Sequence, residues 1–154
     1  MTSSEPVPPA TAVTVDLVAK EIERHHDVLA RWLGTAADPA VLTEFTGAHT
    51  ADFALVTTDG RVLGNDELTE SLRGAARAVP GLRISITAVE VRQSTAAVVV
   101  VRFRETHHTV DETSVRIVTA VLVPDAAGRN GLRWNSVHET ACDQAILHTD
   151  GPAH

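Results

Sequence analysis

The sequence predicts an α+β domain, an antiparallel sheet with helices packed on one face. Three observations carry this. Apolar residues recur at helical spacing over residues 15–33, an Asp59-Gly60 pair marks a hairpin, and four strand-like segments follow Pro80-Gly81 without another helix. At 154 residues and 16.4 kDa the chain is one domain, large enough to build a core without a disulfide or a metal.

Each element has its own signal. Val18, Ile22, Leu29 and Leu33 form one face of a first helix that Gly34 stops. Asp38-Pro39 reads as an N-cap and first helical residue, so Val41, Leu42 and Phe45 belong to a short second helix ended by Gly47. His49 to Thr57 reads as a strand that returns through Asp59-Gly60 into Arg61-Val62-Leu63. Asp66 and Glu67 suit a helix N-terminus, and Leu68, Leu72, Ala75, Ala76 and Val79 continue that third helix to Pro80. Residues 82–88 alternate apolar and polar. Ala96 to Phe103 reads as a strand buried on both faces. Val115 to Val123 alternates again, and Leu132 to Thr140 closes the domain. Residues 1–14 and 143–154, rich in Pro, Ser, Thr and Gly, read as flexible tails around a domain of residues 15–142.

Composition excludes several classes. A net charge of −7 argues against a surface that tracks phosphates, and so against nucleic acid as partner. The longest wholly apolar run, Ala96 to Val101, is far below the ~20 residues of a membrane-spanning helix. The first residues show no secretory signal, and Cys142, the only cysteine, has no partner, so a cytoplasmic location is expected. Twelve of the 13 basic residues are arginine, the bias of high-GC bacterial coding, and the absence of tyrosine rules out phenol chemistry. Gly-x-Gly-x-x-Gly, P-loop and Gly-x-Ser-x-Gly motifs are missing, which points to no nucleotide cofactor. His25-His26 and His107-His108 are adjacent pairs whose side chains diverge, so neither chelates one ion alone and no metal is expected.

The segment His49-Thr-Ala-Asp-Phe-Ala-Leu-Val-Thr-Thr-Asp-Gly60, then Arg-Val-Leu-Gly64 and a helix, resembles the NTF2-like superfamily, in particular its SnoaL-like branch. So does Gly131-Leu-Arg-Trp134-Asn-Ser-Val-His138-Glu-Thr140, which looks like that family's closing strand. The resemblance implies a strongly bent sheet forming a cone around three helices, with a mouth for a small apolar molecule. Its members include isomerases, dehydratases, polyketide cyclases, epoxide hydrolases and pockets without catalysis, so the function rests on pocket residues.

By period two, His138 shares a face with Trp134, Ser136 and Thr140, and an imidazole there suits general acid or base work. The plain alternative is a hydrogen-bonded histidine at a strand end. Asp52 sits mid-strand, where aspartate is unfavourable, as a partner carboxylate for His138, or as an aspartate that caps the strand edge or pairs with one of the arginines. Arg102, Arg104 and Arg116 form an anion site, with Arg116 the substrate anchor, or a solvated or dimer-facing surface. Trp134 makes a wall, and His25, with Trp32 nearby, lines the pocket or fills the core. The expectation is an acid/base enzyme without cofactor, of isomerase, cyclase or dehydratase type, acting on a hydrophobic polyketide-like metabolite of secondary metabolism. The other reading is a non-catalytic binding or dimerisation module. A homodimer through the open sheet face is expected in either case.

Overall fold

A computed structural model describes residues 13–35 and 38–142; the expected tails therefore lie outside the described residues except for 13 and 14. Helix α1 spans Val15–Gly34, with Thr14 as its cap: the Thr14 hydroxyl accepts the Leu17 N–H at 3.2 Å. Its buried face is Val18, Ile22, Val28 and Trp32. Helix α2, Pro39–Gly47, is capped by Asp38, whose carboxylate accepts the Ala40 N–H at 2.8 Å. Strands β1 (His49–Val56) and β2 (Val62–Gly64) form the hairpin around Asp59-Gly60, with Gly60 at φ 86° as this tight turn demands.

Helix α3 spans only Asn65–Arg73, shorter than the periodicity predicts. The segment expected to continue it caps α1 instead. The N–H groups of Arg77, Val79 and Gly81 donate to the carbonyls of Trp32, Leu33 and Gly34, the acceptors that the end of α1 leaves unpaired. A helical segment cannot lend those amides outward, and the cap wins.

Strands β3 (Arg83–Ser94), β4 (Val99–His108), β5 (Thr113–Pro124) and β6 (Leu132–Ala141) complete a six-stranded curled sheet in the order β2-β1-β6-β5-β4-β3. Every pairing is antiparallel except β1 with β6, which is parallel, so the sheet is not purely antiparallel as expected. These two strands come from opposite ends of the chain, and no hairpin between them fixes an antiparallel direction. Bulges bend the sheet. Register shifts occur in β3 between Thr87 and Glu90, with Ala88 at φ 55°, and where β5 meets β6 between Val121 and Leu122.

The helices cover one face. Val99, Val101 and Phe103 of β4, Val118, Ala120 and Leu122 of β5, and Leu132, Trp134 and Val137 of β6 are buried against them. The intervening β4 residues Val100, Arg102 and Arg104 are only half-buried, so β4 alternates and is not buried on both faces. No helix among the described residues is long and apolar enough to cross a membrane.

Candidate functional site

A cavity of about 210 Å³ opens between the three helices and the concave face of the sheet. Leu29 and Leu33 of α1, Phe53 and Leu55 of β1, Leu68 and Leu72 of α3 and Val137 of β6 give it an apolar wall. Ionisable residues complete the lining: His26 of α1, Glu105 and His107 of β4, Arg116 of β5 and Glu139 of β6.

Glu105 is the centre of this group. It takes an inward position of β4, two residues after Phe103, and is 1 % exposed. His107 Nε2 lies 2.5 Å from one of its oxygens and His26 Nε2 lies 3.1 Å from the other. The second oxygen has no aligned hydrogen-bond donor, so the His26 contact is electrostatic in character. His26 Nδ1 lies 2.7 Å from the Ile22 carbonyl and donates its proton to it. Burial by itself would raise Glu105, but the His26 charge and the His107 hydrogen bond outweigh it and hold the carboxyl below the usual carboxylate range. Burial would likewise lower His26, and the Glu105 carboxylate overcomes it, so His26 is raised. Glu139, 16 % exposed, receives a single 3.4 Å hydrogen bond from Arg116 Nη1. Its pKa is raised, by burial first and by the Glu105 charge second. Two carboxyls on one wall are thus pushed in opposite directions, the arrangement that separates a proton acceptor system from a proton donor.

The other end of the cavity is a fixed hydrogen-bond chain. Arg129 Nη2 donates to His25 Nδ1 at 3.0 Å, and because a guanidinium has no acceptor, the His25 proton must sit on Nε2. His25 Nε2–H then faces His49 Nε2 at 3.1 Å, which leaves the His49 proton on Nδ1 to donate to Asn65 Oδ1 at 2.9 Å. Both rings are neutral. Burial first, then the proximity of His49, His26 and Arg129, which disfavours a further positive charge, holds His25 well below its ordinary value, and burial lowers His49 to about 4. Behind them the fully buried Glu21 accepts from Arg129 Nε and Nη2 at 2.8 and 2.6 Å, from Asn130 at 3.1 Å and from the Trp134 indole at 2.8 Å.

The sequence-predicted residues divide. Trp134, His25 and Arg116 line the cavity. Trp32 is buried beside it with its indole N–H donated to the Leu72 carbonyl at 2.7 Å. His138 and Asp52 do not line it: both are exposed on the outer side of their strands, and the two are not brought together over one cavity. The cause is the irregularity at Asn135. Leu122 pairs with Trp134 but Val121 pairs with Ser136, so an extra residue flips the phase, and Val137 and Glu139 point inward in place of Ser136 and His138. Asp52 accepts from Thr50 at 2.8 Å and from Asn135 at 3.0 Å, which makes it the strand-edge partner of the bulge. Arg116 pairs in register with Glu105, on the face opposite Arg102 and Arg104, so the three arginines form no common anion site.

Sequence reasoning missed Glu105, His107, Glu139 and His26 as a group. A signal was present in Val99-x-Val101-x-Phe103-x-Glu105-x-His107, a carboxylate and an imidazole continuing the inward face of an apolar strand. Among the described residues no cluster has the geometry to hold a metal ion.

The fold and cavity define a cone-shaped α+β pocket protein. No protein-family model and no curated protein matches the sequence. Solved structures do. An NTF-2-like protein of unknown function from Pseudomonas aeruginosa is 30% identical, with a TM-score of 0.77 over 82% of this chain and 99% of that one. A Catenulispora acidiphila protein solved in complex with S-DNPA is 20% identical, with a TM-score of 0.62 over 86% and 96%. The S. rosetta CaMKII hub is 14% identical, with a TM-score of 0.66 over 86% and 99%, and shares the fold. The chain belongs to the NTF2-like superfamily.

Proposed function

We propose that the chain is a cytoplasmic, cofactor-independent acid/base enzyme of isomerase, cyclase or dehydratase type, acting on a small hydrophobic, polyketide-like metabolite held in the cone. One observation carries the reading: a buried, ionised Glu105 grips His107 by one ring nitrogen at the wall of an otherwise apolar cavity. A carboxylate behind an imidazole fixes its orientation and stabilises the imidazolium formed when the other nitrogen takes a proton. Glu139, with its raised pKa, is the donor that returns a proton, and Arg116 faces the negative charge that develops on a substrate oxygen. The Catenulispora relative, solved with S-DNPA, is a protein of this fold in complex with another molecule. The size of the cavity, below the ~300–1,000 Å³ typical of drug-sized sites, favours a ligand of one or two rings.

The homodimer belongs to the same reading. The outer faces of β4, β5 and β6 carry no buried residue, yet they present Val100, Ile117 and Val121, and the buried Arg104 Nε there has no hydrogen-bond partner among the described residues. A second copy laid on that face would cover both.

The test needs no knowledge of the substrate. A panel of one- and two-ring aromatic ketones and hydroxyketones is incubated in D2O, and exchange of the hydrogens next to the carbonyl is read by NMR. Exchange above the solvent rate is expected, falling by about 10²–10⁴ in His107→Gln. Ligands that bind but never exchange would assign the chain to the non-catalytic binding class.

A further inference from the structure

The arginines of this domain differ in how fully they are used. Arg129 fills its fork with Glu21, Glu44 and His25 at 2.6–3.0 Å. Arg24 holds Glu44 through two bonds of 2.8 Å, and Arg133 reaches Asp125 and the Gly47 carbonyl, each at 2.7 Å. Arg116, the one arginine or lysine among the described residues lining the cavity, makes a single 3.4 Å hydrogen bond among those residues, with Glu139. A guanidinium presents five N–H donors in a plane that suits a carboxylate through two parallel bonds, and one contact at 3.4 Å is the weak end of that scale. Arg116 is 23 % exposed at the cavity wall, and the cavity's leucines and Val137 supply surface for an apolar body.

An anion cannot simply be added here, because two carboxylates already stand on this wall. Glu105 is tied between His26 and His107. Among the described residues Glu139 has Arg116 as its one hydrogen-bond partner. We propose, resting on the function proposed above, that the ligand is a small apolar carboxylic acid bound as its anion, whose two carboxylate oxygens take the Arg116 fork in place of Glu139. Displaced from Arg116, Glu139 keeps the Glu105 carboxylate as neighbour and loses its strongest cationic partner, so it takes a proton from water. The groups facing it are Glu105 and His107 of β4, Arg116 of β5 and His26 of α1. The charges then close: ligand anion with Arg116, Glu105 with His26, and a neutral Glu139 beside the bound acid, poised as proton donor.

Calorimetric titration with 2-naphthoate and with 2-naphthamide, at pH 7 in two buffers of different ionisation enthalpy, tests this. The wild type is expected to prefer the acid roughly tenfold or more, with uptake of about half a proton or more per site. In Arg116→Gln the acid-to-amide ratio is expected to fall to about one while the amide is still bound, which also shows that the variant folds. In Glu139→Gln the acid binds and the proton uptake disappears. Equal binding of acid and amide by the wild type, an unchanged ratio in Arg116→Gln, or proton uptake surviving Glu139→Gln overturns the inference and leaves the proposed function standing. If neither probe binds at millimolar concentration, the apolar-cavity reading falls, and this inference with it.

Discussion

Two glutamates lie fully inside the domain, and their partners give them opposite uses. Glu21 accepts four hydrogen bonds and does not line the cavity; it joins α1 to the turn at Arg129–Gly131 and to Trp134 of β6. Removing it leaves the Trp134 N–H without its acceptor and strips the half-buried Arg129 cation of its main carboxylate partner, with Glu44 remaining. Glu21→Ala is therefore expected to cost about 3–5 kcal/mol, read from urea denaturation. Glu105 spends its oxygens on two histidines that reach the cavity, and its replacement should strike activity before stability. His138→Ala, on the outer face, is expected to leave the exchange rate within about twofold, against a loss of 10² or more for His107→Gln.

The same histidines give a pH dependence whose sign is fixed. His25 and His49 are neutral in the folded state with lowered pKa values, so between the ordinary 6.5 and about 4 the unfolded chain binds more protons and stability falls as pH falls. His26 is raised, so its contribution grows only as pH falls toward 6.5 and is constant below it. Glu139, raised above its ordinary 4.5, adds stability as pH falls toward that value and opposes the trend. With two lowered histidines against one raised carboxyl below 6.5, the domain should lose stability from pH 7 to pH 5, the His49 share approaching about 3 kcal/mol by pH 4. Glu105 enters only below the ordinary 4.5, where protonation removes its stabilisation. Urea midpoints at pH 7 and 5 read the slope, and His49→Gln should flatten it; a wild-type midpoint that rises on acidification would contradict the assignment of neutral rings.

At the scale of elements, bulges decide which residues meet. The extra residue at Asn135 turns Val137 and Glu139 inward, and its side chain binds Thr50 and Asp52 of the neighbouring strand at 3.1 and 3.0 Å. Deleting Asn135 removes the extra residue and leaves Val137 and Glu139 two and four places after Trp134, inward by plain alternation, so a folded domain that has lost the bulge is expected, checked by urea unfolding. Asn135→Ala keeps the register and loses side-chain bonds, at about 1 kcal/mol. In β3, Ala88 sits at φ 55°, a left-handed conformation that costs a residue bearing a Cβ about 1–2 kcal/mol. Ala88→Gly should relieve part of that, a gain of about 0.5–1 kcal/mol in thermal or urea unfolding, because glycine brings its own entropic cost.

For the whole molecule, the curled sheet encloses a cavity on one side, and no described residue covers its other side. Sedimentation equilibrium at micromolar concentration is expected to give twice the 16.4 kDa chain mass. Ile117→Asp, placing a charge on an outer position that is 39 % exposed, is expected to return the monomer. A wild-type mass of 16.4 kDa at that concentration would remove the dimer from the proposal.

The elements themselves were legible in the sequence, because the forces that set them are local. Asp38-Pro39 starts α2, Asp59-Gly60 turns the hairpin, and period-two alternation marks β5, each through backbone sterics or the nearest few residues. The likeness of His49–Gly64 and Gly131–Thr140 to the NTF2-like superfamily carried the cone as well. What tertiary structure decided was phase and company. One bulged residue reverses every side chain after it, and nothing local in Trp134-Asn-Ser-Val-His138 announces where it falls. The shortening of α3 depends on the unpaired carbonyls of α1, more than forty residues earlier in the chain. Glu105 became the centre of the site only when α1 brought His26 across the sheet to it, a contact that depends on how helix and strand pack rather than on the spacing of either segment.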